Sequence, residues 1–281
     1  MPLSVDHLYL YPVKGMTAQS VETLAVTPEA GALGDRRFAL ARGGTHWDPA
    51  RPTWLKKEAL VMLARDVALA RLHSTFDAAS GVLTLQRDTR EVLRADITTP
   101  AGRAAADAVI NVALGPRSDG PARLVEAGPQ SFTDVPQNFV SILHLPSLRD
   151  FGQRIGRTVE PGRFRANLVV DGGAPWDEFG WLGQTIQCGT VRLRITKRVN
   201  RCTATHVNPQ TAERDLQVVK LLKDTYGHID MAVYAAVETA GTVRCGDRVE
   251  PPAASGQGKL RSEVSFYTGA LSAIVKDRFR R

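Results

Sequence analysis

The sequence predicts a mostly β protein of the α+β class, barrel-like rather than a doubly wound sheet. Three observations carry that expectation. Short β-rich stretches are numerous and are separated by turns rich in Gly and Pro. Helical patterns are few and do not alternate with the strands, as a parallel sheet would require. Gly31 and Gly34 lack the strand–turn–helix context of a dinucleotide fingerprint.

The elements follow in order. Residues 5–11 alternate in polarity and stop at Pro12, which cannot donate to a strand ladder. A second strand is expected over 20–26. A turn at 28–31 and the segment Gly34-Asp35-Arg36-Arg37 then lead into a strand at 38–41. Further strands are expected at 60–63, 67–72 and 82–85, with Gly81 as the turn signal before the last. Residues 104–114 read as a helix: Thr99 can cap it, Pro100 suits its first turn and Gly115 its exit. The breaker-dense loop 115–121 marks a domain boundary, with 127–130 as a second choice. Beyond it, strands are expected at 139–143, 164–170, 185–187, 191–195, 231–238 and 242–244, and a short helix at 146–155. Within 209–226, Leu216, Val219, Leu222 and Tyr226 share one face of an amphipathic helix that Gly227 ends. After Pro251-Pro252 comes a linker-like Gly256-Gln257-Gly258, then an amphipathic pattern over 263–279 with a basic end. A helix docked on the body is the first reading of this tail, and contact with a membrane surface or a partner the second.

Composition narrows the function. The chain has 281 residues, 43% hydrophobic and 23% charged, which is ordinary for a globular protein with a sizeable core. A net charge of +7 points to an anionic partner. Nucleic acid fits poorly, because the basic residues are dispersed, aromatics are only 6%, and no nucleic-acid-binding signature occurs. Cys188, Cys202 and Cys245 have no C-x-x-C spacing and cannot all pair, which argues against a disulfide scaffold or structural zinc and for a reducing compartment. The N-terminus has no signal-peptide pattern and no apolar run approaches a bilayer span, so a cytoplasmic location is expected.

One stretch concentrates chemistry: Lys197-Arg198-Val199-Asn200-Arg201-Cys202, followed by Thr203 to Pro209. A thiol beside cations ionises more readily, and the thiolate is the form that attacks carbon or binds metal. Both roles are open from the stretch alone. His206, four residues on, could pair with the thiol, but the other histidines have no spacing that completes a triad or a zinc set. The remaining cations at turns and strand ends, namely Lys14, Arg36, Arg163, Arg165 and the group before Cys202, suit a phosphate-bearing ligand. Together these residues describe a site that binds an anionic, phosphate-bearing ligand and supplies one thiolate, with nucleophile and metal ligand both still open for Cys202.

Six motifs carry a resemblance. Tyr11-Pro12-Val13-Lys14-Gly15 and Gly34-Asp35-Arg36-Arg37-Phe38 resemble the N-terminal β-barrel part of MOSC-domain proteins. The MOSC domain itself is resembled by residues 163–170, by 176–181, by Arg201-Cys202-Thr203 with Asn208-Pro209-Gln210-Thr211, and by 241–249. The arrangement is similar to the mitochondrial amidoxime-reducing component and its bacterial relatives. Gly15 departs from the usual Ser, Asn208 from Asp, and Ala166 from Pro.

The resemblance implies a MOSC-type β-barrel with an N-terminal β-barrel-like domain and a few peripheral helices. The expected division is 1–120, 121–252 and a tail, 253–281. It implies a molybdenum cofactor, a pyranopterin dithiolene with a terminal phosphate. Cys202 would be the metal ligand and catalytic centre; Lys14, Arg36, Arg165, Asn167 and Arg201 would bind the cofactor, with Ser147 from a further loop. The implied reaction reduces N-hydroxylated compounds, such as amidoximes and hydroxylamines. Electrons would come from a separate ferredoxin-, flavoprotein- or cytochrome-type protein, since the cysteine-free tail offers no site for an iron–sulfur cluster. The alternative is a non-catalytic carrier of the cofactor or of sulfur.

Overall fold

A computed structural model describes residues 1–128 and 130–252. The tail pattern at 263–279 lies outside the described residues. Eight strands form the main sheet in the spatial order Val249–Glu250, Thr185–Cys188, Val191–Asn200, Asp230–Thr239, Val140–His144, Leu168–Asp171, Ser4–Leu10 and Gln19–Val21. Its two ends meet. Ser4 bridges Arg248, and Val249 N–H donates to the Leu3 carbonyl at 2.9 Å, so the first and last strands close the sheet into a barrel.

The alternation in Val191–Asn200 explains how the barrel fills. Val191, Leu193 and Ile195 turn inward, where they meet Leu8, Ile142, Leu168 and Val233, while Arg192 and Arg194 stay in solvent. One neighbouring pair is parallel, Val140–His144 with Leu168–Asp171, and the helix Leu145–Ile155 makes the crossover between them. That helix and Val218–Tyr226 pack on the outer face around Leu143, Phe151, Val169 and Leu222.

A second lobe has its own core. The strands His73–Asp77, Val82–Arg87 and Arg90–Asp96 form a meander, and Phe38–Ala41 pairs with Arg123–Glu126. The helix Pro100–Leu114 covers them with Ala106 and Ile110. Its ends match the sequence: Thr99 Oγ1 accepts from Gly102 N–H at 3.1 Å, and Gly115 takes φ +73° at the exit. The division between lobes does not follow chain order. Leu3, Val5, Leu8, Leu24, Val26 and Ala32 lie in the barrel core beside residues from beyond 140. Thr23–Thr27 pairs with Gly241–Arg244, more than 200 residues away along the chain.

Five expected elements change. The strand at 20–26 breaks at Glu22 into Gln19–Val21 and Thr23–Thr27, because its halves pair with different partners, Ser4–Leu10 and Gly241–Arg244. Residues 67–72 are a 3₁₀ turn, Val67–Arg71, not a strand. Adjacent Leu69 and Ala70 are both buried, which a turn allows and strand alternation does not. Residues 60–63 touch Phe38–Ala41 only through an Ala41–Leu60 bridge, before Arg65 and Asp66 N–H turn back onto the Met62 carbonyl. In 164–170 only Leu168 onward is strand; Pro161–Phe164 is a 3₁₀ turn and Arg165 has φ +51°. The helix in 209–226 is limited to Val218–Tyr226, because Asn208 Oδ1 first gathers the N–H groups of Gln210 and Thr211 into a turn. Among the described residues no helix is long and apolar enough to cross a membrane.

Candidate functional site: a cationic pit beside Cys202

The pit forms where the two lobes run alongside each other. Tyr11 to Lys14 and Arg36 to Phe38 are held side by side: Arg36 N–H donates to the Tyr11 carbonyl at 2.7 Å, Phe38 N–H to that of Pro12 at 2.9 Å, and Lys14 N–H to that of Phe38 at 2.8 Å. Gly15 follows at φ +89°, a backbone conformation that a serine adopts only under strain. Arg165 arrives from the barrel through the turn after Pro161–Phe164. Arg36 and Arg165 both have positive φ, at 47° and 51°. Such strained positions in non-glycine residues cluster at binding sites.

The two guanidinium groups flank one ring. Each guanidinium carbon lies 4.4 Å from the centroid of the Tyr11 ring. Arg36 also pairs with Asp35 and donates to the Arg165 carbonyl at 2.9 Å. Asp35 in turn accepts from Tyr11 N–H at 3.0 Å. Arg165 Nη1 donates to the Met16 carbonyl at 2.6 Å. Among the described residues two donors in this stack have no partner, the Tyr11 hydroxyl and Arg165 Nη2, and both are buried.

Lys14 completes the near wall, donating to the Phe132 carbonyl at 2.9 Å and to Asp134 at 2.5 Å. Burial pushes its ammonium pKa down, and Arg36 and Arg165 push it the same way, against Asp134. Burial would raise the Asp134 carboxyl, but Lys14, Arg36 and Lys57 hold it at about 2. Burial lowers Arg165 and Arg201 to about 10, so both remain charged at neutral pH. Burial raises the Tyr234 phenol pKa, against the fields of Arg201 and Arg36. Four cations thus share the pit with two carboxylates, Asp35 and Asp134, and positive charge is left over.

Cys202 is exposed and unpaired. Its carbonyl accepts from Thr205 N–H at 3.0 Å and Thr205 Oγ1 at 2.8 Å, fixing the residue at the start of the turn Thr203–His206. Among the described residues no histidine bonds the thiol. His206 Nε2 instead accepts from Val219 N–H at 3.4 Å, and burial lowers its pKa. The Cys–His pairing open in the sequence is therefore not formed.

The expected residues have different fates. Lys14, Arg36, Arg165, Arg201 and Cys202 come together. Arg201 is spent on backbone: Nε donates to the Met231 carbonyl at 2.7 Å and Nη1 to that of Phe164 at 3.0 Å, which fixes the chain entering Cys202. Asn167 lies at the pit floor, 1% exposed, and ties strands together. Its Oδ1 accepts from Ser141 Oγ at 2.9 Å, and its Nδ2 donates to the Tyr9 carbonyl at 3.3 Å.

Ser147 is not brought to the pit. It lies beyond the far end of Val140–His144, where its hydroxyl donates to Glu178 at 2.7 Å, contacts His144 Nδ1 at 3.0 Å and accepts from Trp176 N–H at 2.7 Å. Arg163 is also withdrawn, neutralised by Glu160 and Asp215. Sequence reading missed Tyr11, Asp35, Asp134 and Tyr234. Tyr11 and Asp35 lie inside the two N-terminal motifs and were legible there, whereas Asp134 sits in an aperiodic loop with no signal.

Two family models cover most of the chain: the MOSC N-terminal beta barrel domain over residues 3–120 and the MOSC domain over residues 129–250. Mitochondrial amidoxime-reducing component 1 of Mus musculus is 31% identical over 120 residues, covering 38% of this chain and 35% of that protein. Molybdenum cofactor sulfurase of Drosophila willistoni is 36% identical over 64 residues, covering 23% of this chain and 8% of that protein. Each match therefore spans well under half of the relative's length. The crystal structure of the YUAD protein from Bacillus subtilis covers 89% of this chain and 95% of its own, at 12% identity and a TM-score of 0.40. Matched in both halves and in order with the six motifs, the chain belongs to the MOSC-domain family.

Proposed function

We propose that this protein binds a molybdenum cofactor in the pit and reduces N-hydroxylated compounds such as amidoximes and hydroxylamines, using electrons from a separate redox protein. The observation that carries the reading is the surplus of largely buried positive charge beside an exposed thiol. Buried charge without a counter-charge costs several kcal/mol, and an anionic ligand removes that cost. The residues fit a phosphate-bearing pterin: Arg165 Nη2 is a buried donor with no partner, and Lys14 and Arg36 stand around it. A soft thiolate at Cys202 suits a metal with sulfur donors. The resemblance to an amidoxime-reducing component supports the reaction class.

In this reading Lys14, Arg36 and Arg165 hold the anionic end, and Asn167 and Arg201 keep the strands and Cys202 in position. The bound group would supply the two-electron chemistry that breaks an N–O bond. The alternative, a non-catalytic carrier of cofactor or sulfur, is favoured by the exposure of Cys202 and by the match to a sulfurase.

Metal and pterin analysis of protein from a cofactor-competent host tests both readings; finding neither molybdenum nor pterin would undercut both. Consumption of benzamidoxime with an artificial electron donor separates them. Turnover that is abolished in Cys202→Ala supports the reductase, and full turnover in that variant with molybdenum still bound rejects the role given to Cys202.

A further inference from the structure

Tyr11 is 1% exposed, yet among the described residues its hydroxyl has no hydrogen-bond partner. Buried polar atoms are nearly always paired, and one left unpaired destabilises the fold. Phenylalanine would keep the ring and its two cationic neighbours without that cost, so the hydroxyl needs a reason to be there. The second buried orphan, Arg165 Nη2, belongs to the guanidinium that lies against the same ring. Neither group can satisfy the other, because a guanidinium has no acceptor and it already sits over the face of the ring. Burial pushes the Tyr11 phenol up to about 12, so it keeps its proton and has an O–H to donate.

We propose that Tyr11 is a ligand-binding residue of the pit, its Oη–H and Arg165 Nη2–H donating together to an oxyanion of the phosphate class. A charged acceptor matches two donors and the surplus positive charge of Lys14, Arg36, Arg165 and Arg201; a neutral carbonyl would leave that charge uncompensated. The inference rests on the cofactor reading only for which phosphate is held in the cell. The Tyr11 ring spaces the two arginines apart, and its hydroxyl reads the oxygen that they attract.

The test is calorimetric titration of inorganic phosphate into the full chain, made in a host without the cofactor, and into its Tyr11→Phe variant. The variant is expected to bind phosphate about tenfold or more weakly, as for loss of a hydrogen bond to a charged group. Without phosphate its melting temperature is expected to equal or exceed that of the parent. Equal affinity overturns the inference, as does a parent that binds no phosphate. A variant that melts lower without phosphate also overturns it, since the hydroxyl would then serve the fold. Tyr11-dependent phosphate binding in a chain that never acquires molybdenum or pterin would reject the cofactor reading and leave this one standing. Unchanged phosphate affinity in a chain that does acquire them would do the reverse.

Discussion

Arg163 and Arg165 are two residues apart, the first buried and the second partly buried, and differently treated by the fold. Arg163 donates to Glu160 and Asp215 and contacts the His206 carbonyl at 3.2 Å, so its charge is closed off inside the protein. Arg165 has one carbonyl, one aromatic face and a nitrogen with no partner. The difference comes from the turn between them. Arg165 adopts a left-handed backbone that carries its side chain toward Met16 and Tyr11, away from the carboxylates. A buried cation that the protein neutralises is architecture, and one that it leaves open is a binding site in waiting.

That contrast can be broken from either side. The largest effect is expected from Arg163→Leu, which strands two carboxylates. Breaking a buried pair costs about 3–5 kcal/mol, to be read by denaturant unfolding, with phosphate binding retained once the protein is folded. An unchanged unfolding free energy would remove the structural role from Arg163.

Acid should reproduce part of that loss. The Arg163 hydrogen bond holds Asp215 at about 2, below its ordinary 3.8. A carboxyl depressed by folding contributes stability that is complete above the ordinary value and disappears as pH falls through the depressed one. The melting temperature should therefore fall between about pH 4 and pH 2, and less steeply in Arg163→Leu. Equal slopes in the two proteins would break the link between Arg163 and Asp215.

Arg165→Gln should do the opposite of Arg163→Leu. Removing a charge that lacks a counter-charge should leave the unfolding free energy unchanged or raise it, whereas phosphate affinity should drop about tenfold or more. A stability loss as large as that at position 163 would make the two arginines equivalent and erase the comparison. The smallest effect on stability is expected at the exposed Cys202: Cys202→Ser should stay within about 0.5 kcal/mol while benzamidoxime turnover is abolished. A variant that keeps both would return the cysteine to the bystanders.

Much of this was legible in the sequence. The cap and exit of Pro100–Leu114 were visible because Thr99, Pro100 and Gly115 act on their own neighbours. The alternation from Val191 was visible because strand pleating repeats every two residues. Lys14, Arg36 and Cys202 stood out because glycine, proline and clustered charge mark the turns that carry them. Ser147 did not hold its expected place, because a hydroxyl in a loop carries no mark of which end of a strand it serves.

By itself, then, the sequence determined the class of fold, the local elements whose signals lie within a few residues, and the set of basic groups around one cysteine. Tertiary structure alone decided that Thr23–Thr27 pairs with Gly241–Arg244, that the barrel closes through Ser4 and Arg248, and that Asp134 faces Lys14 across 120 residues of chain. It also decided which arginine is neutralised. Pairing over such distances depends on which buried surfaces meet when the two lobes form, and on where a left-handed residue aims its side chain. The charge of Arg165 was written in the chain, and its open nitrogen over the Tyr11 ring came from the packing of the lobes.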